Sequence, residues 1–214
     1  MKVKALLLDF DGTLVSKDML VEVIDLVGKK AEADRHARDF QSGKNRGLEG
    51  LIARINLLKG LPVSAITDKV NEDLALIDGA EELIDYSRAN NIVVIIATGS
   101  IKPILDPYKT RLGIEYIVCS EPVIKDGVIQ GISEQNYPQD SRHFKVVGIS
   151  KILDKLGIKN EETVAIGDGR GDIPMFEMAG YTIAINPKGG IEKYANDIVT
   201  DLHQAKEIIA SKLV

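Results

Sequence analysis

Five apolar runs punctuate the chain, at residues 3–9, 92–98, 116–120, 163–168 and 181–185. Each is apolar at consecutive rather than alternate positions, the pattern of a strand buried on both faces of a parallel sheet. Between and after them the period becomes that of a helix, at 80–89, 101–112, 145–156, 173–179 and 202–213. Strands alternating with helices imply right-handed βαβ units, hence an α/β fold with a doubly wound parallel sheet. The stretch 123–129 reads as a β-hairpin turning at Asp126-Gly127.

Residues 16–77 break this rhythm. They carry no strand pattern but four helix-period segments, at 19–27, 31–40, 48–58 and 65–76. Gly-Lys-Asn-Arg-Gly at 43–47 and Gly60-Leu61-Pro62 punctuate them. The pattern predicts a small four-helix cap domain at 16–77, inserted after strand 1 into a core formed by 1–15 and 78–214. Asp78-Gly79 is the expected return linker. An insertion at this place lies over the mouth of the sheet, where open α/β folds bind ligands, and can exclude water from it.

Composition narrows the picture. A chain of 214 residues is long enough for one α/β domain with an accessory one and needs no disulfide. Its single cysteine, Cys119, sits in an apolar run and reads as a buried small residue. Cysteine poverty fits a reducing cytoplasm. The N-terminal apolar stretch is too short for an export signal and ends in two aspartates, and no run approaches the length of a membrane span. With 27 Lys+Arg against 32 Asp+Glu, the net charge of −5 argues against a nucleic-acid-binding face. It leaves room for a small anionic substrate, because a metal ion and one or two basic residues can reverse the sign locally. A cytoplasmic monomer or homodimer with no nucleic-acid or membrane partner is expected.

The chemistry concentrates at strand ends. The first run leads straight into Asp9-Phe10-Asp11-Gly12-Thr13. Strand side chains alternate, so the two carboxylates share a side, where they repel. They make sense if a cation sits between them, or if one attacks while the other moves a proton. The second run ends in Thr98-Gly99-Ser100 and the fourth in Gly167-Asp168-Gly169-Arg170-Gly171-Asp172. In a parallel sheet these ends face one crevice. Lys145, at the start of the helix before the fourth strand, lies at the same edge, with Lys151 the competing lysine. His36, His143 and His203 show no metal-ligand spacing.

This set resembles the haloacid-dehalogenase superfamily of aspartate-nucleophile phosphatases over essentially the whole chain, and the layout is most similar to the phosphoserine phosphatases within it. The resemblance implies a Rossmann-like core with a small helical cap. It implies Asp9 as nucleophile, Asp11 as acid/base, and Thr98 and Lys145 as cradle for the phosphoryl oxygens. It also implies Mg²⁺ held by Asp9, Asp11 (through its carbonyl), Asp168 and Asp172. Asp18, Arg54 and Gly99 fall where the family meets its substrate, the acid facing an ammonium and the arginine a carboxylate. Gly171 stands where an asparagine is usual. The expected activity is hydrolysis of a small phosphate monoester, O-phospho-L-serine first. Phosphoglycolate, a sugar phosphate, or a weakly active phosphate-binding regulatory role are the alternatives.

Overall fold

The computed structural model describes residues 2–44, 48–72, 74–137 and 143–213. Part of the glycine-punctuated stretch, residues 45–47, lies outside them. Six parallel strands form one sheet in the order β3-β2-β1-β6-β7-β8. They are β1 (Ala5–Leu8), β2 (Val93–Ile101), β3 (Tyr116–Ser120), β6 (Thr163–Gly167), β7 (Tyr181–Ile185) and β8 (Asp197–Val199). The chain steps outward from β1 in one direction through β2 and β3. It then returns to the other side of β1 for β6, β7 and β8. The reversal between β1 and β6 is the switch point at which such sheets open a crevice beyond their carboxyl ends.

Every residue of β1 and β6 is buried, as their unbroken apolar runs require. Alternate residues serve opposite layers. Leu6, Leu8, Ile96 and Ile166 pack on one side with Leu83 and Ile84 of α5 (Ala80–Ala89), Ile104 and Leu105 of α6 (Lys102–Leu112), and Leu202 of α9 (Leu202–Ile208). Ala5, Leu7, Ile95 and Ala165 pack on the other with Ile149 and Leu153 of α7 (Phe144–Leu156) and Met175 and Phe176 of α8 (Ile173–Met178).

Among the described residues, four α-helices run between β1 and α5: α1 (Met19–Ile24), α2 (Lys30–Gln41), α3 (Glu49–Asn56) and α4 (Val63–Glu72). Met19, Leu20, Val23, Ile24, Ala33, Ile55, Leu58, Ile66 and Val70 give them a buried interior continuous with Leu14 and Val15. The hairpin β4 (Val123–Lys125) with β5 (Val128–Gly131) is stitched to this helical segment. Gly60 N–H donates to Ile129 O at 2.9 Å, and Asn56 exchanges two hydrogen bonds with the Ile132 backbone, at 2.9 and 3.0 Å.

The structure departs from expectation at two strands. β8 adds a sixth strand that no apolar run signals, being three residues long with Ile198 exposed at the sheet edge. β2 extends through Thr98-Gly99-Ser100 to Ile101, but its register with β3 breaks between Ala97 and Ile101, which frees those three residues from the ladder.

Candidate active site

β1 stops at Leu8, and the acidic motif forms the turn beyond it. Asp9 still donates its N–H to Ile166 O at 3.0 Å; the N–H groups of Thr13, Leu14 and Val15 then converge on Phe10 O. Gly12 makes this turn at φ +83°. A Cβ there would fall 1.9 Å from Asp168 Oδ2, so both conformation and space demand glycine. Phe10 points into the core, its ring edge-on to Tyr108 at 4.9 Å, while Asp9 and Asp11 line the crevice.

Asp9, Asp168 and Asp172 each offer a carboxylate oxygen within 4.8 Å of the others. Lys145 Nζ donates to Asp9 Oδ1 and Asp172 Oδ1, both at 2.8 Å. Lys188 Nζ lies 2.5 Å from Asp168 Oδ2, and the Lys188 N–H donates to Asp168 O at 2.8 Å. Burial pushes Asp9 up to about 7, helped by the Asp172 charge and opposed by Lys145. Burial likewise raises Asp168 to about 6 against the pull of Lys188. Burial works against charge on Lys145 too, yet Asp172 and Asp9 beside it hold it above the ordinary lysine value. An all-oxygen trio of this kind suits a hard divalent cation.

The Asp11 carboxylate belongs to a different network. Its Oδ1 accepts from Met19 N–H at 2.7 Å, and its Oδ2 lies 3.5 Å from the Thr98 hydroxyl, which itself accepts from Ser100 N–H at 3.0 Å. Burial, then the Asp18 and Asp9 charges, raise Asp11 well above the usual carboxylate range. Thr98 therefore serves the crevice rather than capping α6, whose N-terminus has no side-chain cap.

Helical segment and sheet enclose a cavity of about 530 Å³. Asp9, Asp11, Thr98, Gly99, Lys145, Asp168 and Asp172 line it from the core, and Asp18 and Arg54 from the helical side. Asp18 caps α1 by accepting from Val21 N–H at 3.1 Å, and Arg54 Nη2 reaches both its oxygens at 2.5 Å. Arg54 Nε is buried with no hydrogen-bond partner among the described residues. Of the competing lysines, Lys145 enters the site and Lys151 is exposed. His36 and His143 line the cavity, whereas His203 pairs with Asp78 and Glu82 far along the core.

Two residues here were not expected. Lys188 comes from the loop after β7, where Asn186-Pro187-Lys188-Gly189-Gly190 at a strand end was the available signal. Gln41, the last residue of α2, accepts from the Arg170 N–H at 3.1 Å and so joins the helical segment to the loop after β6.

An acid cluster with two lysines, at the carboxyl ends of a doubly wound parallel sheet, suits a hard cation and an anionic substrate. The model of the haloacid dehalogenase-like hydrolases matches residues 6–177, and the chain belongs to that family. It is 31% identical to the phosphoserine phosphatase of Methanocaldococcus jannaschii, over 97% of each chain. It is 32% identical to that of Streptococcus thermophilus, again over 97% of each. Among solved structures it superposes on a phospho-aspartyl intermediate analogue of phosphoserine phosphatase with a TM-score of 0.85 at 29% identity, covering all of both chains. A substrate-bound phosphoserine phosphatase complex gives 0.83 at 28% identity over the same extent.

Proposed function

We propose that the protein hydrolyses O-phospho-L-serine to serine and phosphate through an aspartyl-phosphate. The observation that carries the substrate is the charged pair Asp18–Arg54 in the same cavity as the acid cluster. An amino-acid ester needs an anion for its ammonium and a cation for its carboxylate, beyond reach of the reacting phosphorus. Arg54 already presents a buried Nε–H without a partner, and a substrate carboxylate would supply one.

In this reading an Asp9 oxygen attacks phosphorus, the P–O bond to serine breaks, and Asp11 gives its proton to the departing oxygen. Burial suits Asp11 to this role, because it raises the carboxyl's hold on its proton. Asp11 then takes a proton from the water that attacks the phospho-aspartate, releasing phosphate and restoring Asp9. Thr98 Oγ1 and Lys145 Nζ cradle the phosphoryl oxygens, with Gly99 backing the substrate. Mg²⁺, held by Asp9, Asp168 and the Asp11 carbonyl with Asp172 in support, would supply the positive charge that lets one anion approach another. Residues 16–77 act as the cap over core residues 1–15 and 78–214. No helix among the described residues is long and apolar enough to cross a membrane. Cytoplasmic serine formation is the setting that this reading implies.

The test is a panel of phosphate monoesters with Mg²⁺, run on wild type and Asp9→Asn. O-phospho-L-serine should lead the panel and Asp9→Asn should be inert. A profile in which it does no better than an aryl phosphate refutes the substrate. Equal inertness of both proteins on every ester refutes catalysis itself.

A further inference from the structure

The Gly169-Arg170-Gly171-Asp172 turn does more than present acids. Residues 40–43, at the end of α2, fit onto it at four points. A Cβ on Gly171 would meet the Phe40 ring at 3.6 Å, so this ring fills the space in front of the glycine. Gln41 Oε1 takes the Arg170 N–H at 3.1 Å. The Gln41 amide lies so close to Gly169 and Gly189 that a Cβ on either would come within 2.7 and 2.6 Å of it. Gly43, at φ +76°, turns over the Arg170 guanidinium, where a Cβ would sit 3.0 Å from Nη1. The guanidinium thus lies just past the C-terminal end of α2, where a cation is favoured. The same turn holds Asp172, whose Oδ2 accepts from Gly169 N–H at 3.2 Å and whose Oδ1 accepts from Lys145.

We infer that this contact is a specific seat joining the helical segment to the acid-bearing turn, with Gln41 as a positioning residue and Phe40 as a selectivity residue. Gln41 fixes the Arg170 amide and through it the turn from Gly169 to Asp172, so the acid cluster is set only while the helical segment is seated. Phe40 lines the cavity and limits the bulk that fits beneath it. Glycine at 169 and 189 leaves the room that the Gln41 amide occupies, whereas a Cβ at 171 would meet the Phe40 ring in ordinary contact.

The substrate half of the test rests on the function proposed above; the structural half does not. Gln41→Leu keeps the volume and removes the acceptor, and Gln41→Ala is the companion should leucine perturb packing. Hydrogen exchange of the Arg170 amide, followed by NMR in EDTA without substrate, should quicken about tenfold, the loss of one hydrogen bond. With metal restored, kcat should fall about tenfold for O-phospho-L-serine and p-nitrophenyl phosphate alike, because both esters depend on the acid cluster, with KM changed less than about twofold. Phe40→Ala should raise kcat/KM for the aryl ester. Wild-type exchange at Arg170 in both Gln41 variants overturns the seat. Faster exchange with unchanged kcat on both esters overturns its positioning role. If wild type ignores phosphoserine, the proposed substrate fails and the exchange result alone decides the seat.

Discussion

Lys145→Met removes the cation that holds Asp9 and Asp172 together. The lysine side chain is 13% exposed, against 9% for Asp9 and 2% for Asp172, so water screens the group little. Removing one partner of a buried pair costs about 3–5 kcal/mol, because the remaining charge is left uncompensated. The cost depends on pH, and its sign follows from Asp9. With the lysine present, Asp9 is pushed up to about 7, above the usual carboxylate range. Without it, the folded-state pKa moves higher still. An acid with a raised folded pKa binds its proton more tightly folded than unfolded, so stability falls as pH rises toward the folded value. Below pH 7 both proteins hold Asp9 protonated and the gap between them is flat. Above pH 7 only wild type releases the proton, and the gap widens by about 1.4 kcal/mol per pH unit. Between pH 6.0 and 8.5 this adds up to about 2 kcal/mol to the deficit. Urea unfolding in EDTA at the two pH values measures it. A variant as stable as wild type, or a deficit identical at both pH values, refutes the charge-offset reasoning. With metal restored, kcat/KM for phosphoserine should fall by about 10²-fold or more, since a preorganised donor to the phosphoryl group is gone.

Three further perturbations separate the other roles. Asp11→Asn should lower kcat/KM for phosphoserine by about 10²–10⁴-fold while costing kcat/KM for p-nitrophenyl phosphate far less, because nitrophenolate leaves without a proton and kcat/KM excludes the later water step. Equal losses on both esters would remove Asp11 as the acid. Arg54→Ala should raise KM for phosphoserine about tenfold or more and leave an ester lacking a carboxylate nearly untouched, as initial rates will show. Gly12→Ala forces a Cβ to 1.9 Å from Asp168 Oδ2 at φ +83°, so both thermal stability and calorimetric Mg²⁺ affinity should drop. Retention of both would mean that the turn tolerates a side chain there.

Sequence patterning made the sheet legible because two-sided burial leaves no room for polar positions. β1 is apolar throughout, β6 is apolar after Thr163, both are fully buried, and the strand ends that follow carry the acids. What stayed hidden depends on tertiary distance. β8 is three residues at an edge, too short and too exposed for a periodic signal. Lys188 stands 20 positions after Asp168 in sequence and reaches it only because β6 and β7 are neighbours. Gln41 resembles any polar residue at a helix end until Gly169 and Gly189 close around it. Asp18 and Arg54 were legible as an anion and a cation suited to an amino acid; that they pair with each other depends on how α1 and α3 pack.

The two aspartates of the opening motif show how local pattern and tertiary context divide the work. Alternation puts Asp9 and Asp11 on the cavity side and Phe10 in the core, and the structure has all three there. Alternation cannot tell that the two acids answer to different parts of the molecule. Asp9 is held by Lys145 of the core helix α7. Asp11 is held by the Met19 N–H at the start of the inserted segment, and its proton affinity is raised by burial and by Asp18 of that same segment. The partners named for the group assigned to attack come from the core, whereas the group assigned to give the proton is held by that segment and has its proton affinity raised partly by Asp18 within it. Unseating the segment would expose Asp11 to water and distance it from Asp18, which lowers its pKa; losing the Met19 N–H and Arg54 acts the other way, but burial is the largest cause and sets the sign. The proton donor is thus ready when the cavity is covered, which ties leaving-group departure to exclusion of water.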